Sequence, residues 1–152
     1  MSVDALEWFN MYDCNPIGTP MDLGAHLSSS MSPQPPEEQK SIEDIPYLNA
    51  VGTLQYLVTS TRPDISFAVR VLACFNKNPG IEHWKAVKHL FCYLKGSLDY
   101  KLVYGPTDSS ELFLTYTDAD HGRNPDNGCS TGGYAVIIGG GPKRKKPQTL
   151  KH

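Results

Sequence analysis

The sequence has no Cys-x-x-Cys word, no long apolar run and no basic leader. Its four cysteines, Cys14, Cys74, Cys92 and Cys129, are scattered, which supports neither a zinc ribbon nor a compact disulfide framework. Reduced thiols are the plain expectation. No stretch approaches the ~20 consecutive apolar residues that a membrane-spanning helix needs. The amino-terminal region is acidic and mixed, unlike the basic start and apolar core of a signal peptide. The chain is therefore expected to be cytoplasmic or nuclear, not secreted, with no membrane partner. Apolar residues fill only 39% of the 152 positions, and twelve prolines and thirteen glycines point to stretches without regular structure.

What charge there is lies unevenly. All sixteen acidic residues precede Lys143, against nine basic ones, so residues 1–142 carry a net −7. Residues 143–152 carry five basic side chains and no acid. The body thus lacks the electrostatic footprint of a nucleic-acid binder. Lys143-Arg144-Lys145-Lys146 fits a nuclear-import word or a phosphate-binding patch, although a solvated tail is the commoner state of such runs.

Residues 1–13 hold a short apolar-aromatic group, Leu6, Trp8, Phe9, Met11 and Tyr12, enough for one or two helical turns. Prolines 16, 20, 33, 35, 36 and 46 then alternate with serines and glutamates, which reads as an extended connector. From Pro46 the period becomes helical. Tyr47, Ala50, Val51, Leu54, Leu57 and Val58 make one apolar face. Ser60 and Thr61 break that helix and are placed to cap the next, whose stripe is Ile65, Ala68, Leu72 and Phe75. Asn78-Pro79-Gly80 stops it. A third helix puts Ile81, Trp84, Val87, Leu90, Phe91 and Leu94 inward, with Gly96 suited to its carboxy-terminal cap. Trp84 reads as core rather than as a base-stacking platform. After residue 97 the pattern turns to β-type runs at Tyr100–Tyr104, Leu112–Thr117 and Tyr134–Ile138.

Several words stand in a specific order. Asp13-Cys14-Asn15-Pro16 and Thr19-Pro20-Met21-Asp22 come first, then Tyr47-x-x-Ala-Val-Gly52-x-Leu-x-Tyr-Leu57 and Thr61-Arg62-Pro63-Asp64-Ile65. His83-Trp84-x-Ala-Val-Lys88, Tyr93-Leu94-Lys95-Gly96, Tyr116-Thr117-Asp118-Ala119-Asp120 and Ser130-Thr131-x-Gly133-Tyr134 follow. Across about residues 5–142 the sequence resembles copia-type retrotransposon Pol polyprotein, reverse transcriptase carboxy-terminal region running into the RNase H domain. The resemblance implies an α+β fold. It has a largely disordered connector with a short helix at 1–45 and a three-helix thumb/connection-like unit at 46–97. A truncated RNase H-like start of two to three strands at 98–142 and a basic tail at 143–152 complete it. The palm with its metal-binding aspartates lies upstream in that family, and the rest of the nuclease site follows the glycine turn. Here Pro142-Lys-Arg-Lys-Lys-Pro147 replaces the family's next strand, and two prolines make a strand there unexpected.

The same resemblance makes Asp118 the first metal ligand of the RNase H site. Asp118 and Asp120, two apart in a strand, project from one face and can offer Mg²⁺ carboxylate oxygens. A two-metal site needs more carboxylates than these. The complete parent is thus expected to use Mg²⁺, and this chain to hold none stably and to show little or no catalysis alone. The bland reading of the pair is a solvated strand end. His121 and Cys129 lie nearby in sequence but match no zinc pattern. Lys85, Lys88 and Lys95 are the candidates for an RNA–DNA hybrid or DNA duplex, against the bland reading of a wet helix face. Two other readings stay open: a co-opted helical module that binds nucleic acid or protein, and a nuclease completed by another chain.

Overall fold

The computed structural model describes residues 1–22, 24, 26–33, 42, 44–103, 113–119, 132–138 and 143–144. The chain divides into two units, Met1–Leu98 and Asp99–His152. Helices α1 (Ser2–Trp8), α2 (Tyr47–Ser60), α3 (Ser66–Ala73) and α4 (Ile81–Gly96) build the first, with 3₁₀ turns at Ser29–Met31 and Pro63–Ile65.

The periodic apolar residues make its core. Tyr47, Ala50, Val51, Leu54 and Leu57 of α2 are buried, whereas Val58 is half-buried. Ile65, Ala68, Leu72 and Phe75 are buried too, joined by Val69. α2, α3 and α4 pack pairwise, so the three stripes close on one another. Each fully buried leucine or phenylalanine contributes on the order of 1.5–3 kcal/mol relative to exposure. The Tyr47 hydroxyl, buried among them, donates to the Leu72 carbonyl at 2.8 Å. Burial, aided by Cys74, pushes its ionisation well above the ordinary tyrosine range.

α4 turns Val87, Leu90, Phe91 and Leu94 inward as expected, but its first turn differs. His83, Val87, Leu90, Phe91, Tyr93 and Leu94 are buried, while Ile81 is 42% exposed. His83 is drawn in at the helix start: its Nδ1 accepts the Gly80 amide at 2.7 Å and its ring stacks on Phe75 at 4.0 Å. A polar residue thus takes the position that periodicity gave to Ile81. Trp84 is half-buried rather than core, with the Lys88 ammonium 5.7 Å from its ring centre. Nor do Ser60 and Thr61 cap the next turn. Ser60 Oγ donates back to the Tyr56 carbonyl at 2.8 Å, and the turn starts after Arg62 with Pro63 first.

Several described residues between Ala5 and Ser32 contact α4 or the turn before it. Ala5 and Leu6 are buried, and the Phe9 ring sits 5.1 Å from that of Phe91. α1 closes with Asn10 at φ 53°; the Asn10 amide donates to Glu7 at 3.0 Å and the Met11 amide to Leu6 at 2.7 Å. That pair of bonds is a Schellman end, with asparagine in the left-handed position. Onward, the Ile17 amide donates to the Cys92 carbonyl at 3.3 Å, and His89 Nε2 bonds the Thr19 carbonyl at 3.0 Å. Ser32 Oγ donates to the Asn78 carbonyl at 2.6 Å. Beyond α1, polar and backbone bonds link the described residues of the strap, 14–22, 24 and 26–33, to their neighbours.

Two glycines let the strap approach. A Cβ on Gly96 would stand 2.9 Å from the Ile17 carbonyl oxygen, and one on Gly80 would stand 1.9 Å from that of Met31. Gly96 is therefore not the expected left-handed cap; Ser97 takes the cap at φ −131°, and Gly96 serves by having no side chain. Gly52 in α2 differs, because nothing lies within 4 Å of its would-be Cβ. Gly52→Ala is expected to raise stability by ~0.5–1 kcal/mol. The check is the urea midpoint, which should rise at constant slope; a fall would mean that this helix face is occupied in solution.

The second unit holds β1 (Leu102–Val103), β2 (Phe113–Ala119), β3 (Gly132–Ile138) and β4 (Lys143–Arg144). β2 and β3 pair antiparallel from Phe113↔Ile138 to Ala119↔Gly132. β1 and β4 pair antiparallel through Leu102↔Arg144 and Val103↔Lys143. Lys143 and Arg144 pair where two prolines made a strand unexpected; Pro142 and Pro147 stand on either side in the sequence, so the ladder needs no proline amide. Among the described residues the strands form two separate pairs, and no RNase H-like sheet is assembled.

Candidate nucleic-acid interface and carboxylate strand

The three candidate lysines all lie on α4 but not as one free stripe. Lys85 is ion-paired with Glu82 at 2.6 Å, one turn back, and both are exposed. Such a pair contributes little to stability and is screened by salt. Lys88 stands over Trp84, and the Lys95 ammonium lies 5.8 Å from the Tyr12 ring centre. Seven residues apart, Lys88 and Lys95 share a helix side, each paired with an aromatic ring. Lys85 instead faces a cavity of about 330 Å³ between α4 and the strap, lined also by Asp22, His26, Glu82 and His89. The outer side of α4 is therefore partly covered.

Asp118 lies in β2 opposite Gly133. Asp120, His121 and Cys129, together with Lys145 and Lys146, lie outside the described residues. Among the described residues no three His, Cys, Asp or Glu side chains group closely enough to hold a metal ion.

The sequence reading missed a buried polar node. Arg62, only 3% exposed, donates from Nε and Nη2 to the two carboxylate oxygens of Asp64 at 3.1 and 3.0 Å. Its Nη1 reaches the Ser97 carbonyl at 3.3 Å, and Nη2 also bonds Ser97 Oγ. The Tyr93 hydroxyl donates to Asp64 Oδ2 at 2.8 Å, and the guanidinium carbon lies 5.6 Å from the Tyr93 ring centre. Burial acts to raise the Asp64 carboxyl, but the bonds from Arg62 and Tyr93 and the guanidinium charge hold it below the usual range. The node ties the α2–α3 junction to the end of α4. The word Thr61-Arg62-Pro63-Asp64 was visible, but nothing in it points to Tyr93 or Ser97.

A helical unit followed by an antiparallel strand pair carrying the Tyr-Thr-Asp word is the setting for comparison with known proteins. The chain is 42% identical over 136 residues, 90% of its length, to the retrovirus-related Pol polyprotein from transposon TNT 1-94 of Nicotiana tabacum, covering 10% of that protein. It is 35% identical over 144 residues, 93% of its length, to the corresponding polyprotein from transposon RE2 of Arabidopsis thaliana, covering 9% of it. It is also 37% identical over 112 residues, 72% of its length, to the secreted RxLR effector protein 161 of Plasmopara viticola, covering 78% of it. No family model matches the chain, and no solved structure matches it significantly. The two transposon relatives define a class, retrovirus-related Pol polyproteins. Within it the chain belongs to the copia-type retrotransposon family, and it spans about a tenth of the length of the polyproteins it matches. Among the described residues no helix is long and apolar enough to cross a membrane.

Proposed function

We propose that the chain is the thumb/connection part of a copia-type reverse transcriptase with the opening of its RNase H domain, and that it handles nucleic-acid duplex without catalysing on its own. The parent activities are RNA-directed DNA synthesis and hydrolysis of RNA in RNA–DNA hybrids. The observation that carries the reading is an order: a helical unit with Lys88 and Lys95 on one side of α4, then β2 with Asp118, inside a chain 42% identical to Pol over 136 residues. In this reading Asp118 is an inherited Mg²⁺ ligand, with Asp120 beside it and too few companions for a two-metal mechanism. Lys88 and Lys95 meet phosphates of the hybrid or duplex, joined by Lys85, whose exposed pair with Glu82 is weak.

The test uses the purified chain with a labelled RNA–DNA hybrid and Mg²⁺. Weak binding that falls steeply with salt is expected, with no cleavage. Lys88→Glu with Lys95→Glu should lower the affinity at least several-fold, the size expected when phosphate contacts become repulsive. Cleavage that Asp118→Asn abolishes would overturn the non-catalytic half of the reading. Binding unchanged by the lysine reversals would overturn the other half.

A second reading has one observation in its favour. The chain covers 78% of the secreted RxLR effector protein 161, so much of this segment also occurs within a short protein. A non-enzymatic helical module that binds a protein partner fits that fact and the closed core of Met1–Leu98. Native folding without any hybrid affinity would favour it.

A further inference from the structure

The first turn of α4 is fastened by a histidine. Gly80, its N-cap, has no side chain, and the Gly80 amide donates to His83 Nδ1 at 2.7 Å, three residues on. Glutamate or glutamine makes that reach back to the N-cap amide in other helices. A ring nitrogen that accepts an N–H cannot carry a proton of its own, so the His83 ring is held neutral, with its one N–H on Nε2. The ring is fully buried and stacks on Phe75, the centres 4.0 Å apart and the planes 17° from parallel. The strap rests on this same turn. A Cβ on Gly80 would stand 1.9 Å from the Met31 carbonyl oxygen, and Ser32 Oγ donates to the Asn78 carbonyl at 2.6 Å.

We propose that His83 is a pH-sensitive latch: a proton taken up by its ring frees the Gly80 amide, loosens the first turn of α4 and releases the strap from it. An imidazolium carries N–H on both nitrogens, so the Gly80 amide would face a donor and the charge would lie in a buried place. An opened, solvated histidine takes its proton near pH 6.5. Opening therefore gains a proton as pH falls through that value, and the closed state loses stability below it. The printed contacts of this turn, Phe75, Met31, Ser32 and Asn78, do not titrate there. On α4, Glu82 and Lys85 are exposed and ion-paired with each other. Before the turn, Arg70, Cys74 and Lys77 are exposed, and the strap's Asp22 and His26 line the cavity beside Met31 and Glu82. His89 also holds the strap, through Nε2 and the Thr19 carbonyl at 3.0 Å, but its charged form still donates that bond. The inference stands independently of the polymerase reading.

Limited proteolysis of the whole chain tests the latch, with rates divided by those for a free peptide of residues 17–33 to remove the protease's own pH dependence. Cleavage between residues 17 and 33 should be about tenfold faster at pH 5.5 than at pH 7.5, the factor for one proton gained on opening. His83→Gln keeps an acceptor for the Gly80 amide that does not titrate, so its rate should stay nearly flat. His89→Gln should retain the tenfold rise. A second measurement needs no variant: nitrogen-15 NMR of the folded chain at pH 5.5 should find the His83 ring neutral, with its proton on Nε2. A His83 ring that is charged in the closed chain at that pH, a parent rate that ignores pH, or an equal rise in His83→Gln would each overturn the proposal.

Discussion

Arg62→Met is expected to lower folding stability by ~3–5 kcal/mol at neutral pH, the cost of leaving a buried charge without its partner. Asp64 would keep the Tyr93 bond but lose both guanidinium bonds, and Ser97 would lose two more. The side chains of Arg62 and Asp64 are 4% and 9% exposed, so water cannot replace what is removed. Urea unfolding at unchanged slope measures the loss. Tyr93→Phe removes a single bond to a charged acceptor and should cost less, ~1.5–3 kcal/mol. Arg62→Met combined with Asp64→Leu should recover much of the loss, because an apolar pair of similar volume often matches a buried ion pair. A single Arg62→Met variant as stable as the parent would sink the structural assignment of the node.

Acid adds an independent readout with a definite sign. The folded-state Asp64 carboxyl is lowered, so its contribution is fully present above the unfolded value of ~3.9 and fades as pH falls through the folded one. In Arg62→Met burial becomes the dominant influence, which raises the carboxyl and favours its protonated form. That variant should then be relieved by acid on the way down to pH 4, while the parent still keeps the Asp64 contribution there. The gap between the two midpoints should therefore narrow from pH 7 toward pH 4. A gap that stays constant would place the effect in packing around the Arg62 stem rather than in its charge.

The helical half was legible in proportion to how far it is built from apolar periodicity. Tyr47 through Leu57 and Ile65 through Phe75 were readable because each lies one or two turns from the next on a single face, and burial followed. The reading slipped on α4, where a hydrogen bond at the first turn brought His83 inward in place of Ile81. Periodicity counts apolar residues and has no weight for a histidine that satisfies its own helix. The strap was illegible for a deeper reason. Proline- and serine-rich composition signals disorder because it lacks apolar area, yet Ile17, Thr19, Met31 and Ser32 within it meet carbonyls, amides, a histidine and glycines of their neighbours. Of the candidate site, Asp118 was placed correctly within a strand. The separation of Lys85 from Lys88 and Lys95 required knowing that Glu82 and the strap stand beside it.

Gly80→Ala should show how much the strap matters, with a loss of at least ~3 kcal/mol, at or above the upper end of ordinary overpacking. The new methyl carbon would stand 1.9 Å from the Met31 carbonyl oxygen and 3.0 Å from its carbonyl carbon. Both are backbone atoms, so no side-chain rotation relieves the clash, and either the strap lifts or α4 shifts at its first turn. Backbone strain is not a rival cause. Gly80 sits at φ −100° and ψ 175°, a conformation that alanine adopts freely. Lifting the strap also breaks the Ser32 bond to Asn78 and uncovers Leu27, which is 8% exposed. Limited proteolysis should then cut between residues 17 and 33 well before the helical core, whereas the parent should resist there. Gly96→Ala, with its nearest atom at 2.9 Å, should cost less, ~1–2 kcal/mol, and loosen the strap at its other end. Since Gly52→Ala meets nothing within 4 Å and should stabilise, the three variants order themselves by contact alone. A Gly80→Ala protein with parental stability and parental protease resistance would show that the strap does not rest on α4 in solution.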